Sequence, residues 1–260
     1  VHYDHPLAEE WVDKISNTKF QEDVLIVAGD VAESMGKLRM CLQHLRAKFR
    51  RVFFTPGNHD LWIHTSEHKD FTDSIHKLFG VLRLCDEIDV DVFPAALCQD
   101  VFITPLFSWY NTDFDLEDPI PTDRYFFDRY CKWPMDKHNE LWRFMLYLNK
   151  HFLEAPCPGT VITFSHFLPR RELPFWAHVA GLVKSVGCPQ LDEQVRQAQS
   201  SCHVFGHSHM KCSKVINGVR YVQSPLGYKD EHEHDEPLMC IFDGSKGGLV
   251  AEQRSLNRPD

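Results

Sequence analysis

The sequence has no surplus of basic residues: 28 Lys and Arg stand against 37 Asp and Glu, a net charge of −9. Nucleic-acid and anionic-membrane binders rely on clustered Lys and Arg, so neither partner is expected. There is no apolar run long enough to cross a bilayer, and the opening VHYDHPLAEEW lacks the basic-then-apolar layout of a secretory leader. Nine cysteines are scattered without a CxxC pair. That usage predicts free thiols in a reducing compartment, the cytoplasm, rather than a disulfide framework. Internal repeats, linker-like stretches and a GxSxG elbow are also missing, and the last absence leaves Ser165 and Ser208 without support as nucleophiles.

What is present is ordinary globular material. The 260 residues are 43% hydrophobic and 25% charged, which suits a single α/β domain over 1–260 with a sizeable core. Leu7, Ala8, Trp11, Val12 and Ile15 recur at helical spacing behind Pro6. DVLIVAGD (23–30) is a β-branched strand emptying into a loop, and RVFFTPGNHD (51–60) repeats that design. Ser34 suits the N-cap of a helix carrying Leu38, Cys41, Leu42, Leu45 and Phe49. A further helix is expected near 65–79, short strands over 81–106, and a helix with Leu141, Met145, Leu148 and Phe152. Strands follow at TVITF and SCHVF, a helix after Pro189, and a hairpin at KVINGVRYVQ whose Asn217-Gly218 fits a type I′ turn. LMCIFD and GLVAEQ read as closing strands.

Four apolar strands share one feature: each stops, and Asp, Asn or His appears in the loop just beyond. The segments are Gly29-Asp30, Gly57-Asn58-His59-Asp60, Ser165-His166 and Gly206-His207-Ser208-His209. Carboxylate, amide oxygen and imidazole nitrogen on a rigid frame suit a divalent transition metal. Any one segment is weak evidence; the ordered series GD, GNHD, H, GHxH is not.

This series resembles the calcineurin-like metallophosphoesterase superfamily, whose pattern is DxH, GD, GNH(D/E), H and GHxH. The resemblance runs from Asp30 to His209, and PLGY (225–228) is similar to uncharacterised members of that group. It implies a four-layer αββα sandwich, two mixed β-sheets flanked by helices, with two divalent ions (Mn, Fe or Zn) at the strand ends. It further implies that Asp30 bridges the ions, that Asn58, His166 and His207 bind one, and that His209 binds the other. His59 would meet the leaving-group oxygen as a proton donor, and Asp60 would fix the tautomer of His59. The implied activity is hydrolysis of a phosphate ester, mono- or diester, by a metal-activated water. The acidic balance favours a small phosphorylated substrate over a polyanion.

The family's first motif has no counterpart ahead of Asp30. His2 and Asp4 have the spacing in reverse order without a strand to hold them, so an exposed loop is expected there. The chain is thus expected to lack its first strand, with a DxH lying just upstream of Val1. That gap motivates a second reading, a phosphoesterase-like scaffold that binds partners without efficient catalysis; the His59-Asp60 pair speaks against it.

Other signals read as structural. KDEHEHDE (229–236) is a solvated acidic loop, Arg170 and Arg171 are surface residues, and His44, His138, His151 and His203 are structural. The aromatic and acidic stretch 107–134 is either a wall over the metals or packing.

Overall fold

In the computed structural model the chain is described at residues 1–114, 128–136, 139–154, 157–177, 182–228, 231 and 236–256. Pro6 opens α1 (Pro6–Lys14), which buries Ala8, Trp11 and Val12. β1 (Val24–Ala28) leads through the Asp30 loop to α2 (Met35–Lys48), where the Ser34 hydroxyl accepts the Lys37 N–H as the N-cap reading required. β2 (Arg51–Thr55) pairs with β1 in parallel, Val24 opposite Arg51.

The expected helix near 65–79 starts later. Residues Thr65–Glu67 form a single 3-10 turn, and α3 spans Ser74–Glu87 because the Asp73 carboxylate accepts the His76 N–H and sets the N-terminus there. The strands expected over 81–106 shrink accordingly to β3 (Ala95–Cys98) and β4 (Val101–Pro105). α4 (Leu141–Leu148), β5 (Thr160–Phe164), α5 (Gln190–Gln197) and β6 (Ser200–Val204) follow. The hairpin is β7 (Cys212–Ile216) and β8 (Val219–Gln223), with Asn217 at φ 49° and Gly218 at φ 86° as a type I′ turn demands. β9 (Leu238–Asp243) and β10 (Gly248–Arg254) form an antiparallel pair.

The main sheet has six strands in the order β3-β4-β5-β6-β8-β7. β4, β5, β6 and β8 run parallel, and β3 and β7 close the edges antiparallel. Its two faces pack differently. On one, Phe53 of β2, Ile26 of β1 and Ile241 of β9 meet Ile103, Ile162, Phe164 and Val222 in an apolar layer between β-elements. On the other, Leu141 and Met145 of α4 and Leu191 and Val195 of α5 cover Phe205 and Tyr221. A third cluster joins α1, α2 and α3 to the outer side of β1 and β2. The result is the αββα sandwich, its smaller β-layer carried by two separate ladders, β1–β2 and β9–β10. A parallel strand directs its C-terminal carbonyl end toward one edge of the sandwich, so the loops after β1, β2, β5 and β6 emerge together.

Among the described residues no helix is long and apolar enough to cross a membrane. All nine cysteines are free thiols.

Candidate metal centre

The loops after β1, β2, β5 and β6 bring Asp30, Asn58, His166 and His207 into one cluster. His166 Nε2 lies 3.0 Å from Asn58 Oδ1, 3.1 Å from His207 Nδ1 and 3.3 Å from Asp30 Oδ2. The approach is close because the turns carry no side chains: a Cβ on Gly57 would sit 2.2 Å from Asp30 Oδ1, and one on Gly29 would sit 2.4 Å from His166 Nδ1. Asp30, His207 and His209 all adopt left-handed backbone, at φ 49°, 68° and 53°. Strain of this kind at non-glycine residues persists where surrounding structure over-determines it, and here it turns ligand-type side chains inward.

The hydrogen-bond ledger shows what this cluster is short of. His166 Nδ1 is 2.9 Å from the Ala28 carbonyl, so in the neutral imidazole the ring hydrogen is spent there and Nε2 presents a lone pair. The Asn58 amide donates to Asp128 Oδ1 at 2.8 Å, which turns the Asn58 oxygen inward. Nε2, Oδ1 and the Asp30 carboxylate are then acceptors facing acceptors, an arrangement that repels unless a cation sits among them. Asp30, His166 and His207 each offer a ligand atom within 4.8 Å of the others. The donor set of one carboxylate, one amide oxygen and two imidazoles fits a divalent transition ion.

His209 stands on the far side of Asp30, and a residue expected to be exposed joins it. His2 is 4% exposed. Its Nε2 lies 3.0 Å from His209 Nε2 and 3.9 Å from Asp30 Oδ2. The exposed-loop reading of His2 is therefore corrected. The backbone N–H groups of His2 and Tyr3 donate to the carbonyls of Asp30 and Val31 at 2.8 and 2.7 Å, and those bonds supply the support that no strand was seen to provide. Only the position of His2 just ahead of α1 hinted at this. Asp4 faces elsewhere, its carboxylate accepting the Glu33 N–H at 2.7 Å.

His59 also borders this side, with a ring nitrogen within 4.8 Å of His2 and Asp30 ligand atoms. Its orienting carboxylate is not the expected one. Glu33 Oε1 lies 3.3 Å from His59 Nδ1, while Glu33 Oε2 is 2.8 Å from His64 Nε2. Asp60 is fully buried and turned to the backbone: Oδ1 accepts from Val31 and Ala32 at 2.9 and 3.0 Å, and Oδ2 accepts from Gly57 at 2.8 Å. Asp60 thus ties the GD loop to the GNHD loop rather than holding the His59 ring. Glu33 was missed because it follows a strand loop by three positions and belongs to no paired motif.

Charge follows this geometry. Burial opposes ionisation of Asp30, yet the neighbouring His166 and His59 hold its carboxyl well below the usual range. Burial and the neighbouring Asp30 push Asp60 up to about 6. Burial works against the His59 cation, but the Asp30 charge and the Glu33 hydrogen bond raise it to about 9. Burial lowers His207 to about 3 and lowers His2 and His209 as well, leaving them as neutral imidazoles able to ligate.

Several residues read as structural prove so. Arg170 is locked to Asp192 at 2.7 Å and also pairs with Glu172. His203 bonds Thr163 and Ser165 in the core at 2.8 and 3.0 Å, and His44 meets the Tyr3 hydroxyl at 3.1 Å. His138 lies outside the described residues. Two further segments reach the site, the 107–134 stretch left open between wall and packing and the acidic loop read as solvated. Asp128 bridges Asn58 and the Trp62 indole at 2.8 and 2.7 Å, and the Tyr130 ring packs at a tilt against Trp62 and His64, so the end of the 107–134 stretch is part of the wall. Residues 115–127 of that stretch lie outside the described residues. From KDEHEHDE, Glu231 Oε2 lies 2.7 Å from His209 Nδ1.

These features define a phosphoesterase of the calcineurin type, and comparison with known proteins agrees. The calcineurin-like phosphoesterase family model matches residues 1–211, and the chain belongs to that family. Among curated proteins it is similar to the [acyl-carrier-protein] phosphodiesterase PptH of Mycobacterium tuberculosis (strain ATCC 25618 / H37Rv), 25% identical over 85% of this chain and 74% of PptH. The crystal structure of phosphopantetheinyl hydrolase (PptH) from Mycobacterium tuberculosis superposes with a TM-score of 0.74 at 22% identity, covering 88% of each chain.

Proposed function

We propose that the chain hydrolyses phosphodiesters with two divalent cations held at the Asp30 cluster. The observation that carries this reading is the place of Asp30 between two imidazole groups, 3.3 Å from His166 Nε2 and 3.9 Å from His2 Nε2. Asp30, Asn58, His166 and His207 would hold one cation, and Asp30, His209 and His2 the other. Mn, Fe and Zn all suit these donors; bound there, such ions polarise a phosphoryl oxygen and lower the pKa of a coordinated water.

The chain's own residues supply the rest. His59, whose Nδ1 faces the Glu33 carboxylate, donates its proton to the leaving-group oxygen. Glu33 occupies Nδ1 and leaves the other ring nitrogen for that oxygen. Trp62 packs over the His59 ring at 3.8 Å between centroids, limiting its rotation, and half-buried Trp62, Tyr130 and His64 line the leaving-group side. The diester preference rests on the phosphodiesterase relative, and a phosphopantetheinyl ester is the first small phosphorylated substrate to offer. The net charge of −9 and the nine free thiols support a cytoplasmic enzyme that does not act on nucleic acid.

The test is hydrolysis of bis(p-nitrophenyl) phosphate and of p-nitrophenyl phosphate by chelator-treated protein, with and without Mn²⁺. Diester hydrolysis that vanishes on chelation and returns with Mn²⁺ is expected. Equal rates after chelation, or an Asp30→Asn variant as fast as the parent, would refute the proposal.

A further inference from the structure

Beyond the strand-end motifs, two residues, Tyr228 and Glu231, touch the imidazoles on the His209 side. The Glu231 N–H donates to the Tyr228 carbonyl at 3.0 Å, and the Tyr228 N–H donates back to Glu231 Oε2 at 2.8 Å. Tyr228 and Glu231 are thus tied twice, once through backbone and once through the side chain. The same Oε2 lies 2.7 Å from His209 Nδ1. An ionised carboxylate can only accept, so the His209 hydrogen sits on Nδ1 and the lone pair of Nε2 faces His2. The Tyr228 ring stacks on His2 at 4.4 Å and 26°, and packs edge-on against His209 at 5.1 Å. Farther along, the Trp11 indole donates to the Glu236 carbonyl at 2.8 Å and Lys211 pairs with the Glu236 carboxylate at 2.6 Å, anchoring the returning chain.

We propose that Glu231 and Tyr228 are positioning residues for the second cation: the Glu231 carboxylate fixes the His209 tautomer and the Tyr228 ring fixes the His2 ring plane, and together they set the affinity of that position alone. The inference rests on the two-cation reading above. At the first position His166 and Asn58 are oriented by other groups, the Ala28 carbonyl and Asp128. Outer partners of metal-bound histidines typically change affinity by about 10- to 100-fold.

Two measurements on the full chain test this. Long-range ¹H–¹⁵N spectra of the metal-free protein should show His209 protonated at Nδ1, with Glu231→Ala shifting it toward the other tautomer; an unchanged tautomer would overturn the inference. Mn²⁺ titration should show two classes of site in the parent. Glu231→Ala should weaken one class by at least about 10-fold and leave the other unchanged, with Glu231→Gln, which keeps an acceptor, falling between. Tyr228→Ala should weaken the same class by a smaller factor. Two unaltered classes in Glu231→Ala would refute the positioning role while sparing the two-cation reading. A single class in the parent would instead refute the two-cation reading. Glu231 is exposed, and Glu231→Gln preserves its shape, so the series remains readable should Glu231→Ala fold poorly.

Discussion

The two sides of Asp30 are built differently. On the His166 side, ligand-type side chains issue from the ends of β2, β5 and β6 and are oriented by a main-chain carbonyl, Ala28, and a buried amide–carboxylate pair, Asn58–Asp128. On the His209 side, His2 and His209 are held by side chains from loops: Glu231 on one ring, Tyr228 on the other. The Ala28 carbonyl ends β1 and makes the orientation of His166 as stable as the sheet, whereas Asn58, like His209, is oriented by a loop carboxylate. Orientation through a loop carboxylate depends on where the loop lies. The first position is expected to be rigid and tight, and the second adjustable and weaker.

Asp30→Asn removes the element common to both sides and should have the largest effect. We expect loss of both metal classes by elemental analysis and a fall in diester turnover of at least about 1000-fold; retention of one tight class would show that Asp30 does not join the two positions. His166→Ala and His209→Ala then separate the sides. The first should abolish the tight class in Mn²⁺ titration and the second only the weaker one; the reverse order would invert the comparison. His59→Ala should leave metal content intact and slow turnover by about 100- to 1000-fold, within the usual range for a general acid. Glu33→Gln should give a smaller loss of kcat with metal content again intact.

Asp60→Ala probes the frame under both sides. It strands three buried N–H donors, so urea unfolding should show a loss of about 2–4 kcal/mol. Stability unchanged would mean that the two loops hold without it. The smallest expected effect is that of pH on the metal-free protein. His59 is raised from the ordinary histidine value near 6.5 to about 9, so folding favours its protonated form. That contribution is complete below about 6.5 and fades as pH rises through 9. Urea midpoints should therefore decline between pH 7 and pH 10 in the parent and decline less in His59→Ala.

The same division explains what could be read in advance. Asp30, Asn58, His166, His207 and His209 were visible because each follows an apolar strand, and the periodicity of a strand locates its own end. The αββα class came with that series. His2, Glu33, Asp128 and Glu231 carry no such marker. Each acts from a loop rather than from a strand end: His2 is placed by the carbonyl of Asp30, Asp128 meets Asn58 from 70 residues away, and Glu231 is tied locally to Tyr228. The role given to Asp60 failed for a related reason. Adjacency in GNHD suggested a partner for the His59 ring, but three backbone donors from the two loops captured the carboxylate first. The start of α3 likewise answered to one cap, Asp73, rather than to apolar spacing.

The most direct test of the central claim is an anomalous difference map from crystals of this chain soaked in Mn²⁺. We predict one peak ringed by Asp30, Asn58, His166 and His207 and a second beside His2 and His209, with the Asp30 carboxylate touching both. Manganese bound only elsewhere on the molecule, or no density against Asp30, would contradict the account.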